Sequence, residues 1–204
     1  PITTQEYDCK TAIHAVFQSK DVHGDSYAYI SKWLSEKMSN GKTPYVPHIV
    51  KLPKPTKNLR KKLNIPKNAT ILGRIGGSTT FDISYIKNAV QNTLQKNKDI
   101  YFLFIGTNKF INHERVIFHD QVFDLQEKAN LINTCDAMIH ARRQGESFGL
   151  SIAEFLYFNK PVIAQNGGED RNHLDMLKNS NLLYNNQEEA VNMMVNIKDY
   201  IHQE

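Results

Sequence analysis

Cysteine is almost missing from the 204-residue sequence: Cys9 and Cys135 stand alone, with no Cys-x-x-Cys or Cys/His ligand spacing. This excludes a disulfide framework and a structural zinc site. Long apolar runs are missing too, since the stretches at 100–105 and 137–140 fall far short of the ~20 apolar residues that span a bilayer. Pro1-Ile2-Thr3-Thr4 shows no basic region followed by an apolar stretch, so no secretory signal is expected and the expected compartment is cytoplasmic. Charge of one sign has little excess, 25 Lys and Arg against 21 Asp and Glu for a net charge of +4, and no nucleic-acid partner is expected from that balance. What is present, 40% hydrophobic residues, suffices for one substantial core and is short for two full domains.

The basic residues that do cluster are Lys51, Lys54, Lys57, Arg60, Lys61 and Lys62, interrupted by Pro53 and Pro55 and followed by Pro66. Proline removes a backbone donor and disfavours helix at the residue before it, so residues 51–68 read as a solvated linker, with contact to an anionic lipid surface left open. Before it, residues 1–50 read as one βαβ unit, with strands at 11–17 and 45–50 and a helix over 26–38. After it, residues 69–204 alternate short β-branched or aromatic runs with longer amphipathic ones. The strands are expected at 70–74, 101–105, 116–119, 137–140, 162–164 and 182–184. The helices are expected at 83–96, 125–134, 150–158, 171–178 and 187–202. That is the pattern of an α/β fold with a Rossmann-like parallel sheet flanked by helices.

The chemistry concentrates in Arg142-Arg143-Gln144-Gly145-Glu146-Ser147-Phe148-Gly149-Leu150, which runs on through Ser151-Ile152-Ala153-Glu154. A strand, a glycine turn and a helix start meet here. Free amides near Phe148, Gly149 and Leu150 can face an anion with no side chain in the way, which suits a diphosphate. Glu154, one turn into the helix, can accept from two adjacent hydroxyls such as a ribose presents. A second element, Leu72-Gly73-Arg74-Ile75-Gly76-Gly77, closes the first strand of the large unit. Its order is Gly-x-x-Gly-Gly; no Gly-x-Gly-x-x-Gly occurs, which argues against a dinucleotide cofactor.

Glu146 and Glu154, with seven residues between and Ser147-Phe148-Gly149-Leu150 inside, resemble the E-x7-E motif of family 4 retaining glycosyltransferases of GT-B fold. The resemblance implies that Glu154 binds the nucleotide ribose and that Glu146 lies beside the donor sugar. It also implies that Ser147, Phe148, Gly149 and Leu150 meet sugar hydroxyls or phosphate, and that Arg74, with Gly73, Gly76 and Gly77, meets the donor phosphates. Arg74 would offset charge on the departing diphosphate, which lets such enzymes dispense with a metal. A base-binding strand and turn is implied between 108 and 130, with Phe118 and Val122 beside uracil or guanine. The family's lysine about five residues after the arginine is missing, since none occurs before Lys87. Phosphate binding then leans on Arg74, the glycine amides and the helix N-terminus.

The same resemblance makes residues 69–204 the C-terminal, nucleotide-sugar half and residues 1–50 a remnant of the acceptor-side unit, with His14 facing the cleft as a third catalytic candidate. His173 and Asp175 are expected to face solvent from their helix, and Gly167-Gly168-Glu169-Asp170 to form a loop near the donor sugar or a plain turn. The implied partners are a UDP- or GDP-sugar, a carbohydrate acceptor and another domain of a longer chain. The implied reaction is sugar transfer with retention and no further cofactor. A non-catalytic or partner-dependent nucleotide-sugar-binding domain is the second reading. An epimerase is a third, weakened by the lack of an acid and base pair.

Overall fold

A computed structural model describes residues 9–201. The N-terminal residues 1–8 and the expected helix end at 202 lie outside it. Six strands form one parallel sheet: β3 (Thr70–Ile75), β4 (Ile100–Ile105), β5 (Val116–His119), β6 (Ala137–Ile139), β8 (Val162–Gln165) and β10 (Leu183–Tyr184). Their spatial order is β5-β4-β3-β6-β8-β10, every neighbouring pair parallel. The chain starts in the middle, winds outward one way, then returns and winds the other. Such doubly wound sheets bind ligands beyond the carboxyl ends of the two central strands, where the winding reverses. Here that place lies past Ile75 and Ile139.

Strand alternation decides which helix covers which face. In β4, Phe102 and Phe104 point to a core completed by α2 (Ser84–Lys96) and α6 (Gln187–Val195), while Leu103 and Ile105 point to a core completed by α3 (Leu125–Thr134) and α4 (Leu150–Tyr157). Both faces are apolar because both are covered. The expected helix at 187–202 is two pieces, α6 and α7 (Lys198–Ile201), broken at Asn196. α5 (Asn172–Met176) is also shorter than the expected 171–178.

The N-terminal unit differs from its expected form. β1 (Ala12–Ala15) pairs in parallel with β2 (Ser26–Tyr29), where a helix start was expected. In β2, Tyr27 and Tyr29 are buried and alternate with Ser26 and Ala28, a period of two. The helix α1 (Lys32–Ser39) begins only after Ser31, whose hydroxyl accepts from the Leu34 amide as an N-cap. Of the expected strand at 45–50, a single bridge between Tyr45 and Tyr29 exists. The basic connector is no solvated tether. Asn130 Oδ1 accepts from the Thr56 and Lys57 amides, Thr134 Oγ1 accepts from the Leu59 amide, and Leu52 and Ile65 enter the core under α3.

Two further strands of two residues each, β7 (Gly145–Glu146) and β9 (Asp170–Arg171), pair in parallel beside the carboxyl end of the large sheet. They are too short to carry a periodic signal. Their pairing sets the first glutamate of the motif in place.

Candidate functional site

Beyond the ends of β3 and β6 lies a cavity of about 290 Å³, lined by Arg74, Ile75, Gly76, Gly77, Thr80, Lys128, His140, Arg142, Glu146, Leu150, Ser151 and Glu154. Arg74, the last residue but one of β3, is only 4% exposed. Its guanidinium donates to Thr107 Oγ1 and, at 2.6 Å, to Thr80 Oγ1. Among the described residues it forms no ion pair. Burial pulls it down to about 10, so it stays charged at neutral pH. Gly76 explains how the group lies so close to the main chain: a Cβ there would strike the guanidinium.

Glu154, 5% exposed, accepts at Oε1 from Lys128 Nζ at 2.8 Å. Glu146 accepts at Oε1 from His140 Nε2 and at Oε2 from Arg142 Nη1, both at 3.0 Å. Burial by itself would raise the Glu146 carboxyl, but the hydrogen bond from His140 and the charge of Arg142 outweigh it, and its pKa falls below the ordinary value. Glu146 is therefore an anion. Three cations, Arg74, Lys128 and Arg142, face two carboxylates, Glu146 and Glu154, leaving one positive charge for a ligand. The helix α4 starts at Gly149, which takes a left-handed φ of 93° and offers no side-chain cap, so the first-turn amides beside Leu150 and Ser151 are left without an intrahelical partner.

The fold thus brings together Arg74, Gly76, Gly77, Glu146, Leu150 and Glu154. It does not bring Gly73, whose missing Cβ would point at the Cys135 sulfur and the Phe155 ring. Gly73 serves packing between sheet and helices. Phe118 stacks on Phe104 and meets Phe110 edge-on, and Val122 lies in the core beneath α3, so neither lines the cavity. Phe148 packs with Tyr27, Tyr29, Ile30 and Leu34 of the N-terminal unit, and the Ser147 carbonyl accepts from Ser31 Oγ. These two brace the motif from behind. His14 is exposed, hydrogen-bonded to the Val46 carbonyl at 2.7 Å, and lines a separate apolar cavity with Ile13, Tyr27 and Pro44. Gly168 packs on the backbone of Gly145, so the glycine pair after β8 supports the motif loop.

Three basic side chains of the lining, Lys128, His140 and Arg142, had no role expected from the sequence. Lys128 brings a second cation to the cavity from α3, and nothing in its local sequence marks it. His173, expected on a solvent face, lies inside the protein. It is fully buried, its ring 5.6 Å from that of His140, and not on a solvent face. Burial holds it down at about 4 despite its bond to the Gln165 carbonyl. The unfolded chain therefore binds a proton near pH 6.5 that the folded chain refuses until about pH 4, and stability is lost as pH falls through that window. A difference of this size amounts to ~3 kcal/mol. Melting temperature should fall between pH 6.5 and 4, and less steeply in His173→Gln; equal slopes would refute the assignment.

Residues 66–198 match the family model described as glycosyl transferases group 1. No curated protein matches the chain. Among solved structures, the fold matches Anabaena Alr3699/HepE in complex with UDP-glucose, at 16% identity and a TM-score of 0.65 over 87% of this chain and 54% of that one. A glycosyltransferase from Rickettsia africae ESF-5 matches at 18% identity and a TM-score of 0.61, over 86% of this chain and 52% of that one. A mutant of S. aureus TarM, in complex with fondaparinux, alpha-GlcNAc-glycerol and UDP, matches at 12% and 0.62, over 85% and 37%. The chain spans about half the length of the first two structures and less of the third. The sheet order, the cations at its switch point and the family match over most of the chain agree: it belongs to the glycosyl transferases group 1 family and carries the helix-flanked parallel sheet of GT-B glycosyltransferases.

Proposed function

We propose that this chain binds a nucleoside-diphosphate sugar, UDP- or GDP-linked, and transfers the sugar with retention, and without a metal, to a hydroxyl of a carbohydrate acceptor. The observation that carries the reading is Arg74, a buried guanidinium without an ion-pair partner at the winding reversal of the sheet. A cation desolvated in this way is costly unless an anion arrives, and a diphosphate is the anion that also suits the uncapped start of α4. Glu154 then meets the ribose: Lys128 occupies Oε1, and Oε2 is left to accept from a hydroxyl. The UDP-glucose and UDP complexes of similar folds support the same ligand class.

In the reaction, the bond from the anomeric carbon to the β-phosphate oxygen breaks and its electron pair stays on the diphosphate. The acceptor hydroxyl bonds to that carbon from the same face and its proton passes to the departing phosphate. Arg74 stabilises the charge that develops. Glu146 already accepts a hydrogen bond at each oxygen, which favours a role in holding sugar hydroxyls over one as a nucleophile. We read residues 51–68 as the connector to an acceptor-side unit of which residues 1–50 are a part. Exposed Phe17, Val22, Val46 and Ile49 on that side favour the second reading, in which turnover requires a further domain or partner.

A thermal-shift panel of UDP, GDP, ADP and TDP tests the ligand class. One of them should stabilise the chain, by ~2.7 kcal/mol at a hundredfold excess over its dissociation constant. Silence from all four would sink the proposal. Binding without hydrolysis or transfer of any sugar would favour the partner-dependent reading. EDTA should change the affinity less than twofold, because Arg74, Lys128, Arg142 and the α4 amides serve the phosphates; a large loss on chelation would show a misassigned phosphate site.

A further inference from the structure

We propose that His140 is a positioning residue that holds the Glu146 carboxylate in the orientation that receives the donor sugar, an inference that rests on the pocket being a sugar-nucleotide site. His140 directly follows β6 at the winding reversal, and its backbone is pinned on both sides. Its amide donates to the Ile163 carbonyl at 2.8 Å, and its carbonyl accepts from the buried Tyr184 hydroxyl at 2.8 Å. The ring it carries is buried, with His140 4% exposed. Its Nε2 faces Glu146 Oε1, while Nδ1 is buried with no partner among the described residues. A proton on Nδ1 would have no acceptor, whereas one on Nε2 is received by the carboxylate, so Nε2 carries it.

The other arm on Glu146 is looser. The Arg142 side chain is 32% exposed, against 5% for that of His140. A long, half-exposed arginine retains rotamers that a walled-in imidazole does not. His140 therefore fixes the carboxylate, and Arg142 adds charge. With one protein donor on each oxygen, Glu146 keeps one acceptor site on each for two neighbouring sugar hydroxyls.

The test compares His140→Leu, which removes the donor while keeping bulk, with His140→Gln, whose amide nitrogen restores a donor at similar reach. Affinities are measured for UDP and UDP-glucose, and for GDP and GDP-mannose as a second pair. His140→Leu should bind the free diphosphate within twofold of the unchanged chain and the sugar nucleotide at least tenfold more weakly, and His140→Gln should recover most of that loss. Equal losses for diphosphate and sugar nucleotide, or normal sugar-nucleotide binding in His140→Leu, would overturn the positioning role alone. An unchanged chain that binds neither pair would overturn the sugar-nucleotide reading and the positioning role with it. The tautomer gives a ligand-free check that no folding defect can cloud: nitrogen NMR of the unchanged protein should show His140 protonated at Nε2, and an unprotonated Nε2 overturns the proposal.

Discussion

Arg74→Met is expected to weaken nucleoside-diphosphate binding roughly ten- to a hundredfold while the melting temperature holds or rises. The loss follows from removing charge-assisted hydrogen bonds to phosphate, worth ~1.5 to 3 kcal/mol. The stability follows from the unliganded state. There Arg74 is 4% exposed and its guanidinium has hydroxyl partners but, among the described residues, no ion-paired carboxylate, so the chain bears a desolvation cost that a thioether of similar length does not incur. Thr80 keeps its own bond to the Gly77 carbonyl when the arginine is gone. A residue that costs stability and supplies affinity is what a binding site built ahead of its ligand requires. The check is a pair of measurements on one variant, a dissociation constant and a melting curve. Affinity retained within threefold would remove the phosphate assignment, and a large drop in melting temperature would mean that Arg74 is a structural group.

Gly145→Ala is expected to cost roughly 2 to 5 kcal/mol of stability, combining ~1 to 2 for a side chain in left-handed backbone with ~1 to 3 for overpacking. Gly145 has a φ of 78°, and a Cβ there would run into the Asp170 carbonyl oxygen, its partner across the β7–β9 pairing. The obstacle is main chain, which cannot swing aside as a side chain can. The strands must part, and Glu146 moves with them. Sugar-nucleotide affinity should therefore fall even at temperatures where the variant is still folded. An alanine variant that melts within a degree of the unchanged protein would show that the pairing does not hold the loop.

How much of this was legible in the sequence depended on the range of the cause. From Thr70 onward the strands of the large sheet and the helices beside them carry their own patterns, and α3, which buries Ala129, Leu131 and Ile132, was expected at the residues where it lies. The N-terminal unit was misread at Ser26–Tyr29 although the evidence was local: Tyr27 and Tyr29 alternate, and Ser31 announces the helix start. β7 and β9 were illegible because two residues have no period; their cause is Gly145 lying flat on a strand 25 residues away. In the site, Arg74, Glu146 and Glu154 were singled out because the residues around them resemble a family's motifs, and they line one cavity. Lys128, His140 and Arg142 were not, since each matters through a partner or a wall that folding supplies. Conversely, Gly73, Phe118 and Val122 are chain neighbours of pocket elements whose faces turn into the core.

The motif loop is clasped from regions far apart in the chain. Asn172 Nδ2 donates to the Phe148 carbonyl at 2.7 Å, Gln18 Nε2 donates to Asp170 Oδ1 at 2.7 Å, and β7 has no pairing partner until β9 exists. This has a consequence in time. A nascent chain that has left the ribosome only as far as α4 already contains Arg74, Glu146 and Glu154, yet the strand that seats Glu146 has not been made. Long-range pairing of this kind waits for its later segment. During synthesis, every residue that lines the pocket is present before the pocket is, and the strand that Glu146 waits for, Asp170-Arg171, lines none of it.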